Sequence, residues 1–191
     1  MKGTHLRDSY ATWALVAINI IVFAAISIFP ELAEVLLLNP GMLRERPLSL
    51  LTVFFSHEAL VHILLNMLLL VVFGTRLERE TNAQAVAGVY FACGLIGSVT
   101  ILAYASAIGY QGGAIAGASA SAFGIAAAYA GLNPNAVVMK SKAVHWVVAL
   151  FVVNALLAIQ NPQLSVGGPS HATGIAAGLA LGYALRRKAG R

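Results

Sequence analysis

Gly117-Ala118-Ser119-Ala120-Ser121-Ala122-Phe123-Gly124 is the stretch on which the interpretation of this chain depends. It opens one apolar segment with small residues and two serines, and His171 opens another apolar segment downstream. A serine and a histidine in such positions suggest a nucleophile and its base. A lone serine in a membrane helix more often serves packing, or bonds back to a carbonyl one turn earlier, so the pairing needs support from the rest of the chain.

Composition predicts an all-α membrane protein. Of 191 residues, 59% are apolar and 10% are charged, against about 25% charged in an ordinary soluble domain. The mean hydropathy is +0.82, and several apolar runs are long enough to cross a bilayer as helices. The single Cys93 excludes an intrachain disulfide. The net charge of +5 comes from basic residues scattered at helix ends, which favours membrane orientation over nucleic-acid binding.

The apolar runs predict one domain, residues 1–191, that crosses the membrane six times. The predicted spans lie at about residues 13–29, 59–73, 83–105, 115–132, 143–159 and 170–185. The first run resembles a signal peptide, but it is long for one and no clear small-x-small cleavage site follows it, so we expect an uncleaved span. The partly apolar piece Leu48–Phe55 is too short to cross and is expected at the membrane interface.

The positions of the basic residues predict the orientation. The two termini and the loops after spans 2 and 4 hold ten of the twelve lysines and arginines, and cytoplasmic loops accumulate these residues. We therefore expect an integral multi-pass protein of a prokaryotic cell membrane, with both termini in the cytoplasm.

The same orientation places four polar side chains near one level. Spans 2, 4 and 6 run inward from the outer face, so Ser119 lies about one turn below the outer end of its span and His171 lies at the outer end of its own. His62 and Asn66 fall in the outer half of span 2. At 1.5 Å rise per residue these groups share a layer about 5–10 Å deep. Buried polar groups cost free energy unless they are paired, which predicts a shared site toward the outer face.

Each of these residues also has another interpretation. Asn66 is also suited to joining two helices, although it shares a helix face with His62, four residues earlier. Ser119 and Ser121 lie about 200° apart on a helix, so only one of them can face His171. The pair His57 and His62 resembles a zinc-protease helix, but that chemistry needs two histidines four residues apart, and these are five apart. We expect no metal and no cofactor.

The acidic residues predict the type of catalysis. All seven precede residue 81 and none lies within the apolar core of a predicted span, so a Ser-His-Asp triad has no third member. A Ser119–His171 dyad is expected, with His171 oriented by packing or by a neutral partner. Donors for a developing oxyanion would be the side chains of His62 and Asn66 and the backbone N–H of Ser119.

The ordered motifs resemble those of a known family. The pattern His57-x4-His62-x3-Asn66, then Gly117-Ala118-Ser119, then His171-Ala172-Thr173-Gly174 with Gly178 and Gly182, is similar to that of the rhomboid intramembrane serine proteases. The resemblance covers about Pro47 to Leu185. It implies a six-helix rhomboid bundle in which Ser119 is the nucleophile, His171 the general base, and His62 and Asn66 line the oxyanion site.

The resemblance also implies supporting roles. His57 lies near the first external loop, Gly117 belongs to the serine motif, and Phe123 occupies the place of an aromatic ring beneath the histidine. Gly174 and Gly178 would let span 6 approach span 4 closely. Two departures stand out: Ala120 follows the serine where the family usually has glycine, and Arg44 and Arg46 lack the tryptophan of the usual Trp-Arg pair.

The implied reaction is hydrolysis of a peptide bond in single-span membrane proteins, inside the lipid bilayer near its outer face, with neither nucleic acid nor metal as partner. The uncharged loop Gln160–Pro169 is expected to cover the site and to move when substrate enters. The alternatives are an inactive rhomboid-like protein that binds membrane clients, a small transporter or channel, and a structural scaffold. Polar groups through the full membrane depth would favour a channel, whereas here they cluster in the outer half.

Overall fold

The computed structural model describes residues 9–161 and 165–190. Helices make up most of this part of the chain: α1 (Tyr10–Ile28), α2 (Glu31–Leu36), α3 (Ser49–Thr52), α4 (Leu60–Leu69), α5 (Thr75–Glu80), α6 (Ala83–Ala107), α7 (Ser119–Leu132), α8 (Ala143–Gln160) and α9 (Gly168–Lys188). Two 3-10 turns lie at Pro40–Met42 and Val53–Phe55. A small hairpin, β1 (Val137–Val138) and β2 (Ser141–Lys142), joins α7 to α8.

Four of the described helices are long and apolar enough to cross a membrane: Tyr10–Ile28, Leu60–Glu80, Ala83–Ala107 and Ala143–Gln160. The second of these is continuous because a π-helical turn, Leu70–Gly74, joins α4 to α5. α7 is shorter, with 14 residues, which corresponds to about 21 Å of helix. The chain is an integral membrane protein that is mainly helical.

α7 is the central helix of the bundle. Nearly all of its side chains are buried, and most of them are alanine, glycine or serine. Small side chains let neighbouring helices approach closely in a membrane, where dense packing replaces the hydrophobic effect as the force that holds helices together. α7 therefore forms the core against which α6, α8 and α9 pack.

The contact between α7 and α9 is made by backbone. A Cβ added to Gly174 would lie 2.5 Å from the carbonyl oxygen of Ala120, and one added to Gly178 would overlap the carbonyl group of Gly124. No side chain fits between the two helices at these levels. The starts of α7 and α9 are consequently held side by side.

The end of span 2 and the burial of Glu78 differ from the sequence prediction. That span was expected to end near residue 73 with its acidic residues outside the core, whereas the helix continues to Glu80 and Glu78 is only 5% exposed. Its carboxylate accepts hydrogen bonds from the backbone N–H groups of Ala11 and Thr12, both at 2.8 Å, and from the Thr12 hydroxyl at 2.7 Å. The first amides of a helix have no acceptor within it, so α1 supplies the donors that make the buried carboxylate tolerable.

The start of α7 also differs from the prediction. A helix was expected from residue 115, but α7 begins at Ser119. Ile115 instead pairs with Leu38 through two backbone hydrogen bonds of 2.9 and 2.8 Å, and Gly117 has φ +140°, which is incompatible with a helix. Non-helical backbone inside a membrane protein is tolerated where it lines a cavity, and residues 114–117 border one.

Candidate active site

Ser119 and His171 meet in the structure. Ser119 is the first residue of α7, His171 lies in the first turn of α9, and Ser119 Oγ is 2.6 Å from His171 Nε2. This is a hydrogen-bonding distance for a serine hydroxyl and an imidazole nitrogen. The glycine contacts between the two helices bring the two side chains together.

Ser121 points elsewhere. Its hydroxyl donates to the carbonyl oxygen of Tyr90 at 2.8 Å, and its side chain is fully buried against α6. Of the two serines in the quoted stretch, only Ser119 contacts His171 within the described part of the chain.

The imidazole of His171 is held on two further sides. The ring of Phe123 lies 4.9 Å from it between centroids, tilted by 49°. At the other ring nitrogen, His171 Nδ1 lies 2.5 Å from Asn154 Oδ1. Asn154 is not among the residues predicted from the sequence. Its signal is a carboxamide in the middle of the otherwise apolar α8, since polar groups inside a span usually have a partner.

His62, His57 and Asn66 form a second polar group beside Ser119. His62 borders the same cavity as Ser119, and its ring lies 5.1 Å from that of His57, nearly perpendicular to it. Asn66 Nδ2 donates to His57 Nε2 at 3.1 Å. His57, in the loop before α4, is completely buried. Its pKa is lowered to about 4, mainly by burial and to a lesser extent by the nearby His62.

Asn66 is separated from the cavity beside Ser119, unlike His62. It is 2% exposed, one of its amide hydrogens is taken by His57, and it does not border the cavity. Among the described residues, no group of three or more His, Cys, Asp or Glu side chains is placed to hold a metal ion.

Gly117, His62 and Ser119 border one cavity, and the backbone of Gly117 packs closely against His62. A Cβ at this position would lie 2.7 Å from His62 Cε1, 3.1 Å from His62 Nε2 and 3.4 Å from Ser119 Oγ. A carbonyl oxygen bound in this part of the cavity would face the imidazole edge of His62 and the hydroxyl of Ser119 together. Glycine avoids the clash with His62 and also adopts the φ of +140° without strain.

The N-terminus of α7 adds to the polarity of this space. Within the described part of the chain, the Ser119 N–H has no backbone acceptor, as expected for the first amide of a helix. The start of a helix carries partial positive charge and favours a developing negative charge nearby.

A cavity of about 340 Å³ opens beside Ser119 and His171. Its lining includes Val53, Gly97, Ile101, Ile115, Leu157 and Val166. Residues 165–168 form part of its wall, which is the described portion of the loop that was expected to cover the site; residues 162–164 of that loop lie outside the described residues. The movement of the loop stays a prediction.

The comparison with known families decides the membership. A family model of the rhomboid domain matches residues 44–188. This chain belongs to the rhomboid family. The membership predicted from the His, Gly-Ala-Ser and His-Ala-Thr-Gly motifs is thereby confirmed, and rhomboid proteins are in general intramembrane serine proteases. No curated protein matches the chain by sequence. The matched residues of this rhomboid protein contain both Ser119 and His171, with the surrounding groups described above.

Proposed function

We propose that this protein is an intramembrane serine endopeptidase that cleaves single-span membrane proteins near the outer face of the bilayer. The observation that carries the proposal is the 2.6 Å separation between Ser119 Oγ and His171 Nε2, in a chain that belongs to a family of intramembrane serine proteases. A nucleophile within hydrogen-bonding distance of a base that is itself held by a third group is the signature of activated serine catalysis.

The chemistry follows from this contact. Nε2 of His171 takes the hydroxyl proton as Ser119 Oγ attacks the scissile carbonyl carbon, and a tetrahedral intermediate forms. His171 then passes the proton to the leaving amine, the C–N bond breaks, and an acyl-enzyme remains on Ser119. Water, activated by His171, hydrolyses the ester and restores the serine.

The oxyanion would occupy the part of the cavity that Gly117, His62 and Ser119 border. The backbone N–H of Ser119 and the Nε2–H of His62 are the donors beside this space. We assign Asn66 as a third donor, through the amide hydrogen that His57 does not take. Donors fixed in a water-poor site before the reaction begins stabilise the developing charge without reorganisation.

The orientation is proposed from the two ends of α7. At the end away from Ser119, Glu80 accepts hydrogen bonds from Tyr129 at 3.2 Å and Asn133 at 2.6 Å, and Arg186 borders the same surface cavity. Basic residues concentrate toward that end: Arg76, Arg79, Lys140, Lys142, Arg186, Arg187 and Lys188. By the positive-inside rule, the domain 1–191 crosses a prokaryotic cell membrane six times, with both termini in the cytoplasm and Ser119 toward the outside.

The depth of the serine follows from helix packing. Gly97 of α6 faces Ala120, since a Cβ on Gly97 would lie 2.5 Å from the Ala120 Cβ. α6 continues from Gly97 to Ala107, which places Ser119 about 15 Å below the end of that helix. The cavity is the route by which water and an extended substrate segment would reach this depth.

The test is cleavage of a reporter membrane protein by the purified enzyme and by Ser119→Ala, His171→Ala and Ser121→Ala. The first two variants are expected to be inactive, whereas Ser121→Ala serves as the matched control and keeps its activity, because Ser121 bonds to Tyr90 instead of His171. Full cleavage by Ser119→Ala would refute the proposal. Wild-type protein that neither cleaves nor reacts with a fluorophosphonate would instead be an inactive relative that binds membrane clients.

A further inference from the structure

We propose that Asn154 is a positioning residue that fixes the tautomer of His171, so that the site is an Asn154–His171–Ser119 relay with an amide in the third place. The inference rests on the proposed function, because it assigns Asn154 a part in the same reaction. It identifies the neutral partner of His171, which cannot be read from the spacing of the sequence motifs.

The orientation of the Asn154 carboxamide is determined by its second contact. Asn154 Nδ2 donates to the carbonyl oxygen of Leu150, one turn earlier on α8, at 2.8 Å. Exchanging the two ends of the amide would place Oδ1 against that carbonyl, and two acceptors repel each other. The oxygen therefore faces His171 and the nitrogen faces Leu150.

The direction of the remaining hydrogen bonds follows from this orientation. Asn154 Oδ1 can only accept, so Nδ1 of His171, 2.5 Å away, must carry the proton. In a neutral imidazole with Nδ1 protonated, Nε2 has the free lone pair. Ser119 then donates its hydroxyl proton to Nε2, which is the arrangement that general-base catalysis requires. An imidazole protonated on Nε2 would present a donor to Ser119 and could not take its proton.

Among the residues that the structure describes, no other polar side chain borders the Asn154 amide on the side facing away from His171. That side borders a cavity of about 200 Å³, and the other side chains lining it are apolar: Phe151, Ala155, Ala158, Ile159, Pro169 and Ala172. A carboxamide in such surroundings is costly without partners, and both of its hydrogen-bonding ends are used. The two partners, Leu150 and His171, together hold the Asn154 amide in one orientation.

A purely structural role is the alternative, since an amide can join two membrane helices without taking part in catalysis. It would make Asn154 important for stability alone. If the role is structural, variants of Asn154 lose stability but each folded molecule keeps wild-type activity. Activity is therefore measured per folded molecule, and the thermal unfolding midpoint is determined in the same detergent.

The kinetic arm compares Asn154→Leu, which removes the acceptor at similar size, with Asn154→Asp, which keeps an oxygen at the same place. Orienting partners of functional imidazoles contribute about 10- to 100-fold to activity, so Asn154→Leu should lower kcat by about that factor with KM changed less than about twofold. Asn154→Asp should retain clearly more activity than Asn154→Leu. Val153→Ala, on the exposed side of α8, is the control and should keep wild-type kcat.

The spectroscopic arm reads the tautomer directly. ¹⁵N spectra of histidine-labelled protein in detergent at neutral pH, with the His171 signals assigned by their loss in His171→Gln, should show the proton on Nδ1 in the wild type. Asn154→Leu should shift protonation toward Nε2, whereas Val153→Ala should not. A wild-type His171 protonated on Nε2, or equal kcat in the wild type and Asn154→Leu, would overturn the proposal.

The outcomes separate this inference from the proposed function. If the wild type cleaves the reporter and Ser119→Ala does not, while Asn154→Leu has wild-type kcat and the wild-type tautomer, only the role of Asn154 fails. If Asn154→Leu lowers the unfolding midpoint alone, Asn154 is structural. If the wild type does not react with the fluorophosphonate, the protease assignment fails, and the spectra still decide whether Asn154 sets the tautomer.

Discussion

Gly178 of α9 rests directly on the backbone of Gly124 of α7, because a Cβ on Gly178 would overlap the Gly124 carbonyl group. This contact lies two turns below His171 and about one turn below Ser119. It fixes the distance between α7 and α9. An increase in this distance would move Ser119 and His171 apart. The glycine thus connects helix packing with the geometry of the site.

Gly178→Ala is expected to destabilise the protein and to reduce activity. The added methyl group meets backbone, which cannot rotate away, so α7 and α9 must separate; overpacking of this kind typically costs about 1–3 kcal/mol. The thermal unfolding midpoint in detergent should fall, and the rate of fluorophosphonate labelling should fall at least about tenfold, in proportion to the loss of general-base catalysis. Gly88→Ala is the control, since a Cβ on this helical glycine meets nothing within 4 Å. Equal midpoints for the two variants would contradict the prediction.

Gly117→Ala is expected to abolish activity while leaving most of the fold intact. Alanine at this position would be strained by the φ of +140°, and its methyl group would clash with the His62 ring. Removing a single oxyanion donor costs about 100- to 1,000-fold in kcat, and displacing His62 should cost at least as much. Reporter cleavage measures the effect, with Gly113→Ala as the control because a Cβ there meets nothing within 4 Å. A Gly117→Ala enzyme with more than a tenth of wild-type kcat would argue against an oxyanion at this place.

Much of this arrangement could be predicted from the sequence because membrane helices are limited to apolar runs of defined length. The apolar runs indicate where the long spans lie. The positions of Ser119 and His171 relative to the ends of their spans predict that both residues lie at one level. The family motifs confirmed by comparison identified the domain.

Asn154, Glu78 and the first residue of α7 could not be predicted, for physical reasons. Asn154 lies on a span that runs in the opposite direction, so residue counting does not show which neighbour its amide meets. The burial of Glu78 depends on the first amides of α1, which lie more than sixty residues away in the chain. Helix α7 begins late because Ile115 pairs with Leu38, and long-range pairing of this kind leaves no local pattern.

Glu78→Ala is expected to loosen α1 without changing the chemistry at Ser119. The variant leaves the amides of Ala11 and Thr12 without the acceptor that they have now, and an unsatisfied buried donor costs about 1–3 kcal/mol. Glu78→Gln keeps one acceptor oxygen and should be less destabilised. Thermal unfolding of both variants in detergent measures the difference, and fluorophosphonate labelling of the folded fraction should stay within about twofold of wild type. The prediction is wrong if Gln and Ala at this position lower the midpoint equally.

The stability of the protein should depend on His57 at mildly acidic pH. Burial lowers the pKa of His57 from 6.5 to about 4, so the folded state keeps this imidazole neutral while the unfolded chain binds a proton below pH 6.5. The contribution of His57 to the free energy of unfolding is therefore complete above pH 6.5 and is lost as the pH falls toward 4, by up to about 1.4 kcal/mol per pH unit.

His57→Gln places an uncharged acceptor where Nε2 accepts from Asn66, and its unfolding midpoint should fall less than that of the wild type between pH 7 and pH 4.5. His145→Gln is the control, since His145 is exposed, and it should follow the wild-type curve. If the unfolding midpoints of the wild type and His57→Gln depend on pH in the same way, His57 is not the group responsible for the loss of stability.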